Sequence, residues 1–588
     1  MVKVARERDK LLTDFGKETL KDRYLLNGED YQNLFKRVAE AYGNDEEQKQ
    51  RLYDYISQLW FMPATPVLSN GGTDRGLPIS CYLNSVEDSL EGIASIWNEN
   101  VYLAAKGGGI GTYWGGVRSI GEKVGQNGKT SGIIPFVCVS DSLTLAISQG
   151  SLRRGSSASY IDVSHPEIEE FLDIRKPSGD FNRKALNIHH GLLITDSFME
   201  AVRNGKSFAL VSPKTRETVK EVDARSLFQK IVETRLQTGE PYLVFIDTVN
   251  RSIPEWHKRA GLKVQTSNLC SEITLPTNED RTAVCCLSSL NLAKWHEWKD
   301  NPQFIQDIYD FLANVLKDFI KRAPEDMRKA IASAYAERSV GLGVMGFHTL
   351  LQQENIPFES VMAKVLNNRI FKHIKKEADK ASKRLAIEYG PCPDAKEYGF
   401  HEYFSNKTAI APTASISIIC GGVSACVEPI PANIYTHKTL SGSFTVKNPL
   451  LTSILEERGI NTEETWGSIL EAGGSVQHLK GLTKHQRDVF KTSFEIDQRW
   501  VLDLAADRSP LIDQAQSINL FVEPDIDKWD LVMLHYKAWE MGIKSLYYLR
   551  SKSLQRAGFV GGVERDNTIE HPVVEVVPTE YEECISCQ

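Results

Sequence analysis

The stretch 227–247, LFQKIVETRLQTGEPYLVFID, sets the architecture. Leu227, Phe228, Ile231, Val232 and Leu236 fall on one face at helical spacing, and the apolar run YLVFID at 242–247 reads as a strand. Working outward, helices are predicted over 303–322 and 360–389, the second closed by Gly390 and Pro391. Ser164 and Glu167 in SHPEIEEFL fit a capping box with Pro166 in the first turn. SLYYL at 545–549 reads as another strand. Residues 1–60 carry Lys, Glu, Leu and Tyr at helical spacing ahead of the Pro-punctuated MPATPVLSNGG, and 61–160 is rich in glycine, which signals close backbone approach or positive φ. Helices alternating with short apolar strands argue for α/β, with strands buried on both faces. The pattern does not separate an open sheet from a closed barrel.

The 588 residues are 41% apolar and 25% charged, which suits a soluble globular protein with a substantial core. A net charge of −8 argues against a nucleic-acid backbone or an anionic membrane as partner. No run approaches ~18 uninterrupted apolar residues and the N-terminus has no signal-peptide core, so a cytoplasmic protein is expected. Ten cysteines are too few for a disulfide scaffold at this length. Each is then either a small buried hydrophobe or a chemical group.

NLCSEITLP places Asn268, Cys270 and Glu272 at alternate positions, which an extended backbone would project to one side. A carboxylate beside a thiol holds it protonated, which suits hydrogen-atom chemistry better than nucleophilic attack. At the chain end, Cys584 and Cys587 form a C-x-x-C that is either half a zinc site or a redox dithiol. No second pair of Cys or His lies near enough to complete a local zinc site, which favours the dithiol.

LPISCYLNSVEDSLEGI, KGGGIGTYWGGVRSIG, NLCSEITLPT, CCLSSLNLA, APTASIS, SLYYL and the terminal CISC together resemble ribonucleotide reductase large subunits, in the family's order. The resemblance implies a ten-stranded α/β barrel over 61–565, a helical segment at 1–60 and a flexible redox tail at 566–588. It implies that Cys270 is the thiyl radical taking the ribose 3′ hydrogen, Glu272 the base on the 3′ hydroxyl and Asn268 a hydrogen-bonding partner of the sugar. Cys81 and Cys285 match the pair that reduces the 2′ position; Cys584 and Cys587 match the tail pair that recycles their disulfide and is itself reduced by thioredoxin or glutaredoxin. Cys286, Cys138, Cys392, Cys420 and Cys426 are assigned to packing. Thr65, Ser80, Thr413, Ala414, Ser415 and Ile416 would cradle the substrate phosphates through hydroxyls and amides.

Asp88, Ser89 and Leu90, with Arg118, resemble the site of a deoxynucleotide or ATP effector that sets base specificity, and Arg153 and Arg154 lie in the loop that would carry its signal. Tyr547 and Tyr548 point to a class I enzyme, whose radical comes from a metal-containing small subunit; the alternatives are an adenosylcobalamin-dependent class II enzyme or a catalytically dead nucleotide sensor. A homodimer is expected. Many large subunits begin with an ATP cone; here the resemblance starts almost at residue 1, so on/off control at such a domain is expected to be absent.

Overall fold

The computed structural model describes residues 2–126, 128–149, 153–154, 156–439 and 442–551. Three helices open the chain: α1 (Asp14–Arg23), α2 (Tyr31–Tyr42) and α3 (Glu46–Ser57). Each starts where a short polar side chain accepts from the first turn: Thr13 from Gly16 N, Asp30 from Asn33 N and Asp45 from Gln48 N. Such a cap contributes about 1 kcal/mol. Arg51 and Gln48 of α3 reach the buried Asp307 of helix Phe304–Arg322, at 2.7 and 3.1 Å, and pin this layer to the rest of the molecule.

The main sheet has nine strands: β1 (Phe61–Pro63), β2 (Cys81–Ser85), β3 (Gly109–Tyr113), β4 (Ser156–Asp162), β5 (His189–Ile194), β6 (Tyr242–Phe245), β7 (Ala283–Asn291), β8 (Val340–Met345) and β9 (Ser545–Leu546). β2 to β6 run parallel to one another, as do β7 and β8. The two sets meet through antiparallel pairs, β2 with β7 and β6 with β9. Two extended segments complete the circuit. Residues 406–410 bridge in parallel to β8 at Leu342, and 514–518 bridge to Ile410 and donate or accept along the line to β9, where Tyr547 N bonds Ile518 O at 2.8 Å. Strands β2 to β9 and these two segments are the ten staves of an α/β barrel.

The helices wrap the outside, as their apolar faces require. Leu227, Phe228, Ile231 and Val232 of helix Ala224–Thr238 are buried, and helix Val361–Tyr389 starts at a Ser360 cap and stops at Gly390, whose φ is 81°. Inside the barrel lies the segment around 264–276. It is held from several staves: Tyr160 OH donates to Asn268 O at 2.6 Å, Ser517 Oγ to Cys270 O at 2.7 Å and Ala515 N to Glu272 O at 2.9 Å. Gly111 of β3 is where glycine is obligatory, since a Cβ there would sit 1.7 Å from Ser267 O.

Two local expectations are corrected. No capping box forms at Ser164: the helix begins at Ile168, because the Glu167 carboxylate is turned inward to accept from Ile120 N and Ile133 N at 3.0 and 3.1 Å. SLYYL is not one strand; β9 ends at Leu546, ladder pairing resumes at Leu549, and the two tyrosines occupy the break.

Candidate active site

The inner segment is not extended as the alternation of Asn268, Cys270 and Glu272 suggested. Ser271 has a φ of 60° and Ser271 N bonds back to Asn268 O at 3.3 Å, making a tight turn. The turn aims the three side chains at different neighbours. Asn268 Nδ2 donates to Cys81 Sγ at 3.3 Å, while its Oδ1 accepts from Ile273 N at 3.1 Å and so fixes the amide. Tyr547 OH donates to Cys270 Sγ at 3.4 Å. Glu272 Oε2 lies 3.1 Å from Ser517 Oγ. All three residues of the segment are fully buried.

Cys81 and Cys285 are directly opposed in the β2–β7 register, and both are free thiols. Directly opposed antiparallel residues have Cα atoms about 4.5–5.5 Å apart, which lies within the span of a disulfide, about 4.4–6.8 Å. Burial, and then the neighbouring thiols, push Cys285 well above the ordinary thiol range, so it is held as a thiol. Gln514 Nε2 lies 3.7 Å from its Sγ. Oxidation is therefore expected to join Cys81 to Cys285 without backbone movement. Peptide mapping after one substrate turnover checks this; a disulfide from Cys285 to Cys286 instead would contradict it.

Beyond Cys270 the aromatic groups continue. Tyr547 and Tyr548 have ring centroids 4.3 Å apart at 52°, and Tyr242 of β6 packs on both, at 4.7 and 5.1 Å. Arg550 lies over the Tyr548 ring at 4.3 Å. The Tyr548 hydroxyl is 3.4 Å from His189 Nδ1, which is also 2.6 Å from the Glu240 carboxylate. Glu240 is held well below the usual carboxylate range by Arg175 and the two histidines, against the opposing effect of its burial.

Three of the expected phosphate residues stand together on one helix. Ala414, Ser415 and Ile416 form the first turn of helix Ala414–Ile419, where amides have no intrahelical acceptor. Thr413 precedes them at φ 55°, and its Oγ1 accepts from Cys426 N at 2.7 Å. Thr65 starts a short helix and shares a 2.8 Å hydrogen bond with Tyr24 OH. Ser80 is buried beside Cys81, and its hydroxyl has no hydrogen-bond partner among the described residues. Asp88 and Arg118 pair with each other, Arg118 Nε lying 2.9 and 3.0 Å from the two carboxylate oxygens. Ser89 caps helix Leu90–Ala105 and Leu90 is exposed. Arg153 and Arg154 form a two-residue strand against Ser148–Gln149. Cys584 and Cys587 lie outside the described residues.

Cys286, Cys392, Cys420 and Cys426 are buried and Cys138 is half-buried. Sequence reasoning missed Gln514, Ser517, Tyr242, His189, Glu240 and Tyr24. Tyr242 opens the strand already recognised at 242–247; nothing in a single sequence marks the others, which reach the site from distant segments.

The chain matches the family described as ribonucleotide reductase, all-alpha domain, over residues 10–76, and that described as ribonucleotide reductase, barrel domain, over 79–401 and 394–549. A Frog virus 3 (isolate Goorha) protein is 42% identical over 567 residues, with 95% of this chain and 96% of that one covered. The ribonucleoside-diphosphate reductase large subunit of Invertebrate iridescent virus 3 is 38% identical, with both chains covered in full. Among solved structures, the class Id ribonucleotide reductase alpha subunit of Actinobacillus ureae superposes with a TM-score of 0.83 at 35% identity, covering 93% of this chain and 98% of that one.

Proposed function

The chain belongs to the ribonucleotide reductase large-subunit family, and from that membership we propose how its residues reduce a ribonucleoside diphosphate. The observation that carries the reading is the chain of contacts inside the barrel, from Tyr547 to the Cys270 thiol and, through the same turn, from Asn268 to Cys81 opposite Cys285. A radical supplied by a metal-containing small subunit oxidises Cys270 by way of Tyr548 and Tyr547. The Cys270 sulfur radical removes the 3′ hydrogen of the ribose and becomes a thiol. Glu272 takes the 3′ hydroxyl proton, and the 2′ hydroxyl leaves as water. Cys81 and Cys285 supply two electrons and two protons, one proton leaving in the water and one going to C2′, and end as a disulfide; Cys270 then returns its hydrogen to C3′ while Glu272 returns the proton to the 3′ oxygen, and Cys270 is again a radical. Asn268 fixes the sugar, and Thr65, Ser80, Thr413, Ala414, Ser415 and Ile416 hold the phosphates.

Cys584 and Cys587 recycle the disulfide at the expense of thioredoxin or glutaredoxin. The division into a helical segment at 1–60, a barrel at 61–565 and a tail at 566–588, a homodimeric assembly and a cytoplasmic location belong to the same proposal. No helix among the described residues is long and apolar enough to cross a membrane. Formation of deoxynucleotide by purified protein with its small subunit and a dithiol tests the reading, and absence of product under these conditions would defeat it.

Asp88, Ser89, Leu90 and Arg118 are proposed to bind the effector. Its phosphates would replace Asp88 as the partner of Arg118, so the pair is the resting state of the site. Arg118→Ala should weaken deoxynucleoside triphosphate binding by about 10- to 100-fold, the scale of one charge-assisted hydrogen bond. It should also flatten the substrate preference that effectors impose. Filter binding measures the first and competition between two substrates the second; unchanged effector affinity would remove Arg118 from the site.

A further inference from the structure

Helix α1 lies antiparallel against helix Ala414–Ile419. Gly16, near its start, permits the approach, since a Cβ there would be 3.1 Å from Ile418 O. Its last turn therefore arrives at the head of that helix, where Arg23 NH1 lies 3.4 Å from Ser415 Oγ. The next residue, Tyr24, is fully buried and bonds Thr65 Oγ1 at 2.8 Å. One dipeptide of the N-terminal layer thus touches the phosphate cradle proposed above from both sides.

Arg23 differs from the other cations of its helix. Lys17 and Lys21 pair with Asp14 and Glu18, at 3.9 and 3.7 Å, whereas Arg23 makes no ion pair among the described residues. The cradle itself contributes only hydroxyls and amides, yet a diphosphate brings two to three negative charges. Arg23 is half-buried and its planar group is suited to two phosphate oxygens at once.

We propose that Arg23 binds the outer phosphate of the substrate and so gives the site its demand for a nucleoside diphosphate, with Tyr24 positioning Thr65 beside it. The inference rests on the reading of the cradle given above. Ser415 Oγ holds the guanidinium near its working place before substrate arrives, which lowers the ordering cost of binding.

The test is a phosphate ladder: cytidine, its monophosphate and its diphosphate are bound to the full-length protein, with effector present, and dissociation constants are measured by calorimetry. In the wild type the step from mono- to diphosphate should tighten binding. Arg23→Gln should weaken the diphosphate about 10- to 100-fold, leave cytidine and the monophosphate within about twofold, and raise KM with kcat at saturation unchanged. Arg23→Lys should recover part of the loss. Equal diphosphate affinity in wild type and Arg23→Gln overturns the proposal while reduction of the diphosphate by both leaves the catalytic reading intact. A parallel loss for all three ligands overturns it as well, because damage to the fold has no reason to follow the phosphate count. A wild type that reduces no ribonucleotide would instead defeat the underlying reading.

Discussion

Cys270→Ala will abolish deoxynucleotide formation, a loss on the order of 10³-fold or more, the scale seen when the group that makes the reactive step is removed. Substrate and effector affinities should stay within about twofold, since the methyl side chain retains the turn: the anchors of this segment are backbone groups, Cys270 O from Ser517 and Asn268 O from Tyr160. No neighbouring thiol can substitute. Cys81 and Cys285 are placed as a pair across two strands, and burial keeps Cys285 protonated. In the proposed mechanism each is consumed as a donor to the 2′ position. The decisive measurement follows deuterium at the ribose 3′ position: wild type should show an isotope effect on single turnover with pre-reduced enzyme, and Cys270→Ala should form no product at all. Turnover above one hundredth of wild type would show that hydrogen abstraction does not depend on this sulfur.

The parts of this molecule that local chemistry determines could be read from the chain. Helix Val361–Tyr389 carries its Ser360 cap and its Gly390 stop in sequence, and the buried strand at 242–245 its apolar run. The α/β class follows from such elements. Closure into a barrel does not, because two of the ten staves, around 406–410 and 514–518, have too few ladder bonds and too little periodicity to declare themselves.

The site was legible only through its resemblance to a family. Read locally, N-x-C-x-E predicts one extended face, and Ser271 at positive φ breaks it. Glu167 failed as a cap for a similar reason: two amides from another segment, at Ile120 and Ile133, compete for its carboxylate. Arg23 and Ser415 stand 392 positions apart, Tyr160 and Asn268 108. Contacts of that separation are tertiary facts that no periodicity encodes.

Tyr547→Phe and Tyr548→Phe are each expected to fold, bind nucleotides and assemble normally, yet to lose reduction driven by the small subunit. Adjacent residues of a regular strand face opposite sides of the sheet. Here pairing stops at Leu546 and resumes at Leu549, so both rings turn inward and meet at 4.3 Å. That contact, with Tyr242 against both rings, is close enough for an oxidising equivalent to pass between phenols. Tyr547 OH donates to Cys270 Sγ at 3.4 Å, so in the proposed path a hydrogen atom would move from sulfur to its phenoxyl oxygen.

Phenylalanine of nearly the same shape keeps the packing but has no hydroxyl to lose an electron and a proton together. Loss of one ring-to-sulfur hydrogen bond would cost stability only about 1 kcal/mol. The expected signature is therefore a separation of effects: unchanged melting, unchanged substrate and effector binding, and turnover at background. Tyr242→Phe serves as the contrasting variant, because Tyr242 packs on both rings while the proposed path runs from Tyr548 through Tyr547 to the thiol, and it should retain most activity. If Tyr547→Phe kept wild-type turnover, the radical would have to reach Cys270 by another route. If adenosylcobalamin alone supported the wild-type protein, the two tyrosines would be packing residues, and the class I mechanism would fall while the barrel, the dithiol and the family stood.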